Sequence, residues 1–118
     1  MTMTAAPRYK AALAALLVAL PGLALAEKVA GAILPDDARR IGENRFQVDR
    51  KYEDVLKFYR TTYPPARHPR HPIADQPGLK AVHIENPDAK PGSWEGLNVY
   101  ELRGGETRVF VLLKQQVR

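Results

Sequence analysis

The residues of this chain best suited to chemistry sit in one tandem, Arg67-His68-Pro69-Arg70-His71-Pro72, with a third histidine, His83, further along. Two imidazoles three residues apart are the spacing a zinc, copper or nickel ion could use. Arg67 and Arg70 are interleaved with them and would repel a cation, and no carboxylate lies within the tandem, so no metal site is expected. The same repeat suits an anion better. Two guanidiniums can each form paired hydrogen bonds to phosphate or carboxylate, and proline lowers the entropy lost on ordering. Arg67, His68, Arg70 and His71 are therefore the candidate anion-binding residues, for an anionic small molecule or envelope polymer. Both arginines should be dispensable for folding, their joint loss changing stability by less than about 0.5 kcal/mol.

Catalytic chemistry has less to work with. Ser93, the only serine, lies in a Pro-Gly-Ser-Trp turn and lacks the Gly-x-Ser-x-Gly frame that presents a nucleophile. Asp36-Asp37 and Glu53-Asp54 are sequence neighbours, which a helix points in different directions, so they read as capping and surface charges. There is no glycine-rich phosphate loop. The expectation is a non-enzymatic protein with no catalytic residue, no metal and no cofactor. A nucleic-acid role would need basic residues interleaved with exposed aromatics, and the aromatics here fall mostly at core spacing, so none is expected.

The elements that must position these residues begin with an address. Arg8 and Lys10 lead into the apolar run 11–20, then Pro21-Gly22, then the small-residue site Ala24-Leu25-Ala26, the pattern of a secretory signal peptide cleaved after Ala26. The apolar run is short of the roughly 20 residues that span a bilayer, so no membrane span is expected after cleavage. The reading is residues 1–26 as leader and 27–118 as one small domain, periplasmic or secreted. The leader takes two of the 18 basic residues and none of the 13 acidic ones, which lowers the net charge from +5 to +3. Of the remaining 92 residues 34 are apolar, too few for a large core or a deep pocket. Cysteine is absent, which excludes a disulfide framework, a thiolate metal site and a cysteine nucleophile; stability must come from the core, a partner or a ligand.

Along the domain, residues 27–34 are small and apolar, and Pro35-Asp36-Asp37 could start a helical turn through Arg40. Residues 44–48 alternate, with Phe46 and Val48 on one side and Arg45 and Gln47 on the other, as in a half-buried strand. From 50 to 63, Tyr52, Val55, Leu56, Tyr59 and Tyr63 recur at the spacing of one helical face, with Asp49 as cap and Pro64-Pro65 as stop. Residues 64–78, with five prolines, read as a long loop. Residues 79–85 and 94–103 read as strands, and Gly104-Gly105 closes a two-residue hairpin into a last strand at 106–114. That register sets Arg103 against Glu106, Glu101 against Arg108, Val99 against Phe110 and Leu97 against Leu112.

The order strand, helix, strand, strand, strand is an α+β domain in which a single helix packs on a mainly antiparallel sheet. The run Asp49-Arg50-Lys51-Tyr52-Glu53-Asp54-Val55-Leu56-Lys57-Phe58-Tyr59-Arg60, followed by Tyr63-Pro64, resembles small exported bacterial proteins of unknown function, which have a helix centred on Val-Leu-x-Phe-Tyr, a loop and then short strands. The resemblance implies the fold and carries no activity. One helix cannot cover both faces of a sheet. Either the segment around residues 29–34 packs on the second face, or that face meets another protein. The hairpin register gives that face Tyr100, Leu102, Val109 and Val111, and Trp94, the only tryptophan, joins them as the candidate interface. The expected function is an exported protein-interaction module with a protein partner or a second copy of itself. Binding of an anionic envelope component through the Arg-His-Pro tandem is the alternative.

Overall fold

The computed structural model describes residues 28–116. The expected leader and its cleavage site near Ala26 lie outside the described residues. The elements are β1 (Lys28–Val29), β2 (Ala32–Ile33), β3 (Ala38–Gly42), β4 (Arg45–Val48), α1 (Tyr52–Thr62), β5 (Arg70–Gln76), β6 (Leu79–Glu85), β7 (Trp94–Glu101) and β8 (Thr107–Leu113). Strands β3 to β8 form one antiparallel sheet in the order β3-β4-β8-β7-β6-β5, and β1 pairs with β2 in a small separate hairpin. The protein is α+β, with one helix among the described residues lying on a mainly antiparallel sheet. No described helix is long and apolar enough to cross a membrane.

The helix forms where the 3.6-residue spacing places it. Tyr52, Val55 and Tyr59 are buried, and Tyr63 follows as its C-cap. The N-cap is Lys51 and not Asp49: no side chain caps the start, and the Lys51 carbonyl accepts from the amides of Asp54 and Val55 at 3.0 and 3.1 Å. Glu53 and Asp54 in the first turn suit the positive end of the helix dipole. Against the helix lie Phe46 and Val48 of β4, Val109 and Val111 of β8, Leu97 and Val99 of β7 and Ile84 of β6, all at most 2% exposed. This single layer is the core.

The β7–β8 hairpin differs from expectation by one residue. The Leu102 amide donates to the Glu106 carbonyl and the Gly105 amide to the Leu102 carbonyl, both at 2.9 Å, so the loop is Arg103-Gly104-Gly105. Both glycines adopt the left-handed φ that this turn requires, +103° and +89°. Val99 consequently faces Val109, Leu97 faces Val111, Tyr100 faces Arg108 and Asn98 faces Phe110. Side chains alternate along each strand, so a one-residue slip exchanges which face of β8 meets which face of β7. The three-residue loop brings the most apolar positions of both strands onto the helix side. The two-residue loop would have divided them.

Two further segments pair where they were expected not to. Residues 70–76, inside the expected loop, form the edge strand β5. Pro72 sits at a register irregularity and Pro77-Gly78 makes the turn into β6, with Gly78 at φ +81°. Residues 38–42, expected to continue a helical turn, pair with β4 through a turn in which Asn44 has φ +57°. Asp36 and Asp37 hold Arg50 at 2.7 and 3.1 Å, which ties this hairpin to the start of the helix.

The N-terminal hairpin packs on the helix side, and the described residues leave the second face of the sheet uncovered. Ala32 and Leu34 are fully buried in the same core. The Tyr59 hydroxyl donates to the Ile33 carbonyl, and the Ile33 amide donates to the Tyr63 hydroxyl, each at 2.9 Å. The Trp94 amide donates to the Ala30 carbonyl at 3.1 Å. Two phenols one helical turn apart thus serve Ile33 as a neighbouring strand would.

Candidate binding face

The four residues of the Arg-His-Pro tandem do not converge. Arg70 turns inward: its guanidinium donates to the carbonyls of Tyr63 at 2.5 Å, His68 at 2.6 Å and Tyr59 at 2.9 Å. It supplies a charged donor to main-chain carbonyls at and just beyond the helix C-terminus, and burial, with Arg60 nearby, lowers its pKa from the ordinary arginine value. His68 lies between aromatic rings, stacked on Trp94 at 5.8 Å between centroids and edge-on to Tyr63 at 4.8 Å, with Nδ1 3.2 Å from the Glu85 carbonyl. His71 is on the opposite face of the sheet, with Nε2 2.7 Å from Glu85 Oε1. Only Arg67 keeps the exposed, unpaired position expected of it among the described residues. One anion cannot touch all four.

The candidate interface divides as well. Val109, Val111 and Trp94 are 0%, 1% and 6% exposed, within the helix-side core. Leu102 follows β7, half-buried beside the loop, and Tyr100 alone of the five lies within a strand on the open face. The register shift moved β8: its odd positions, expected outward, point inward.

The open face carries Tyr100, Arg108, Phe110, Asn98, Arg45 and His83. One rung crosses five strands, from His71 through His83, Asn98 and Phe110 to Arg45. At its centre His83 Nδ1 lies 2.7 Å from Asn98 Oδ1, so Nδ1 carries the proton that the amide oxygen accepts. The imidazole covers Gly96, where any Cβ would overlap the ring. This glycine is the space the histidine occupies. His71 and His83 are 6.0 Å apart, and no described group of three His, Cys, Asp or Glu residues is placed to hold a metal ion.

A shallow cavity of about 460 Å³ runs across this face, with Ile73 and Leu79 at the β5–β6 end and Arg45 and Arg108 at the β4–β8 end. Ile73 and Leu79 are 57% and 42% exposed, the two large apolar side chains that the sheet presents to water here. The Arg45 guanidinium sits 5.2 Å from the centre of the Phe110 ring. Arg108 Nη2 donates to Glu106 at 3.0 Å, while its Nε is buried without a partner. A second hollow of about 530 Å³, between the helix start and Gly104-Gly105, is lined by Asp49, Asp54 and Glu106 together with Arg50 and Lys51, and so favours neither charge.

Arg45, Arg108 and Phe110 escaped the sequence reading of sites. The signal was present in the alternation of β4, which sets Arg45 apart from Phe46, but joining it to Arg108 needs the three-residue hairpin loop. Comparison with protein-family models, with curated proteins and with solved structures finds no match to this chain.

Proposed function

We propose that the chain is exported and that its domain is a non-enzymatic interaction module, which binds a protein partner across the open face of the six-stranded sheet. The observation that carries this reading is the one-sided covering of that sheet. Helix and N-terminal hairpin both pack on one face, while the other presents Ile73, Leu79, Tyr100 and Phe110 around a shallow cavity. Contiguous apolar surface rimmed by polar groups is characteristic of association sites. Both sheet edges are poorly suited to pairing: β5 carries Pro72 and an irregular register, and β3 carries Arg39, Arg40 and a register shift. Association through the face is what remains. His68 is held in the aromatic stack, His83 on Asn98 and the Ser93 hydroxyl in its turn with Lys90.

The test is site-specific photo-crosslinking in the producing cells. A benzophenone side chain at Leu79 or Ile73 should give a discrete heavier adduct of the same mass from both positions, and the same group at Lys57, on the outer face of the helix, should give none. Adducts from Lys57 alone, or from no position, would overturn the reading. An adduct of twice the protein's mass would make the partner a second copy.

A further inference from the structure

Resting on that docking face, we infer that it recognises an acidic, apolar segment of a partner protein: a carboxylate held between Arg45 and Arg108, with neighbouring apolar side chains laid on Phe110, Tyr100, Leu79 and Ile73. Arg45 pairs directly with Phe110 and Gln47 with Arg108, which makes the two arginines diagonal neighbours on one face, about 7–8 Å apart at their bases. Side chains of this length reach a common point from there. Arg45 has no carboxylate partner among the described residues, and Glu43 in the adjoining turn makes no ion pair with it. Its guanidinium lies against the Phe110 ring, which leaves its donors to be satisfied from the solvent side.

Arg108 is only partly used. Glu106 takes Nη2, Nε is buried, and Nη1 makes no hydrogen bond to the described residues and is the donor left for a carboxylate. Glu85, further along this face, is engaged by His71, and Glu43, which lines the hollow beside Arg45 and Arg108, makes no ion pair with either. Among the described residues Glu106 alone meets these two arginines as a carboxylate, so their other donors lack such acceptors. A segment bearing Asp or Glu supplies them, and apolar residues beside it cover Ile73 and Leu79.

The shape of the cavity decides among anions. Small ligands bind where most of their surface is enclosed, whereas this cavity is open and floored by a sheet. A protein segment gains its affinity from extended contact and does not need enclosure. A second copy of this chain would bring two more arginines to the interface, so like charges oppose that occupant.

The experiment uses the protein purified from its producing cells and surface-bound short peptides in four sets: Glu with Leu and Phe, Gln with Leu and Phe, Glu with Ser, and Lys with Leu and Phe. Retention should be greatest on the first set, by about tenfold or more over the second and third. Arg45→Gln with Arg108→Gln should lose that preference, and Arg45→Glu with Arg108→Glu should transfer retention to the Lys set. The pair Lys57→Glu and Arg60→Glu makes the same charge change on the helix and should behave as the unaltered protein; thermal melting confirms that each variant is folded. Equal retention on the Glu and Gln sets would overturn acidic recognition while leaving the docking face intact. Retention on no set, equal loss in the helix variant, preferential binding to anionic lipid vesicles, or a stable dimer abolished by the same substitutions would each overturn the inference. Failure of the docking face itself is read separately, from the absence of cross-links at Leu79 and Ile73.

Discussion

Arg70 closes the helix that ends eight residues before it: its Nη2 donates to the carbonyl of Tyr59 at 2.9 Å, while Nη1 holds the carbonyls of Tyr63 and His68. The guanidinium of a basic loop thus acts as a helix C-cap. Its charge opposes the negative end of the helix dipole.

Arg70→Gln should therefore destabilise the fold by about 2–4 kcal/mol, because three main-chain acceptors lose a charged donor. Arg70→Lys should restore part of this, since an ammonium keeps the charge but cannot span the same carbonyls. Arg67→Gln should change stability by less than about 0.5 kcal/mol. Urea unfolding of the three variants checks the assignment, and equal effects at 67 and 70 would refute it.

The hairpin register can be tested by substituting neighbouring residues. Val109→Ala should cost about 1.5–3 kcal/mol, as expected for a fully buried side chain. Phe110→Thr, one position along on the open face, should cost less than about 1 kcal/mol despite the larger side chain removed. The two-residue loop demands that Val109 share a face with Tyr100 and that Phe110 sit with Val99. A larger loss at 110 than at 109 would support it.

Alkaline pH should unfold the protein through its tyrosines. Burial, reinforced by Tyr63, holds the Tyr59 phenol far above its ordinary pKa of 10.0, and burial also raises Tyr63 against the opposing effect of the Ile33 amide. Above about pH 10 the unfolded chain releases these protons and the folded chain keeps them. Stability is thus full below pH 10 and falls as pH rises, by up to about 1.4 kcal/mol per pH unit for each proton retained. Tyr59→Phe should cost about 1 kcal/mol at neutral pH, through its lost bond to Ile33, and should flatten the alkaline slope. Melting curves between pH 7 and about pH 11 would show both; an unchanged slope would remove Tyr59 as a cause.

Gly96→Ala should destabilise by about 1–3 kcal/mol, because the new methyl group overlaps the His83 ring and lies 3.1 Å from the Ile84 carbonyl. The ring can yield only by leaving Asn98. In a His83→Ala background the same change should cost much less, and a double-mutant cycle that shows no coupling would refute the packing account.

Much of the fold is legible in the sequence where periodicity is local. The helix follows from Tyr52, Val55, Tyr59 and Tyr63, and β4 from the alternation of Phe46 and Val48. Pairing is less legible, because it depends on loop geometry: Gly104-Gly105 marks a turn but does not say that Arg103 belongs to it. Strand β5 is hidden by prolines that an edge strand tolerates and a central strand would not. Asp49 does not cap the helix because a carboxylate does so only when its chain geometry brings it to the first free amides, and Lys51 occupies that place. The site was the least legible part. Composition makes Arg67, His68, Arg70 and His71 look like one group, whereas strand alternation and the helix end send them to different sides of the sheet. Arg45 and Arg108, far apart in sequence, become neighbours only through the pairing of β4 with β8.

That pairing also governs the order in which the molecule can be completed. The last of the described strands, β8, lies between β4 and β7, so the early hairpin and the later meander have no shared hydrogen-bonded neighbour until it arrives. A chain delivered from its N-terminus must keep the apolar sides of β4, α1 and β7 waiting for Val109 and Val111. Completion is withheld until β8 itself has emerged, so the sheet is committed only when the long-range pairing of β8 with β4 closes.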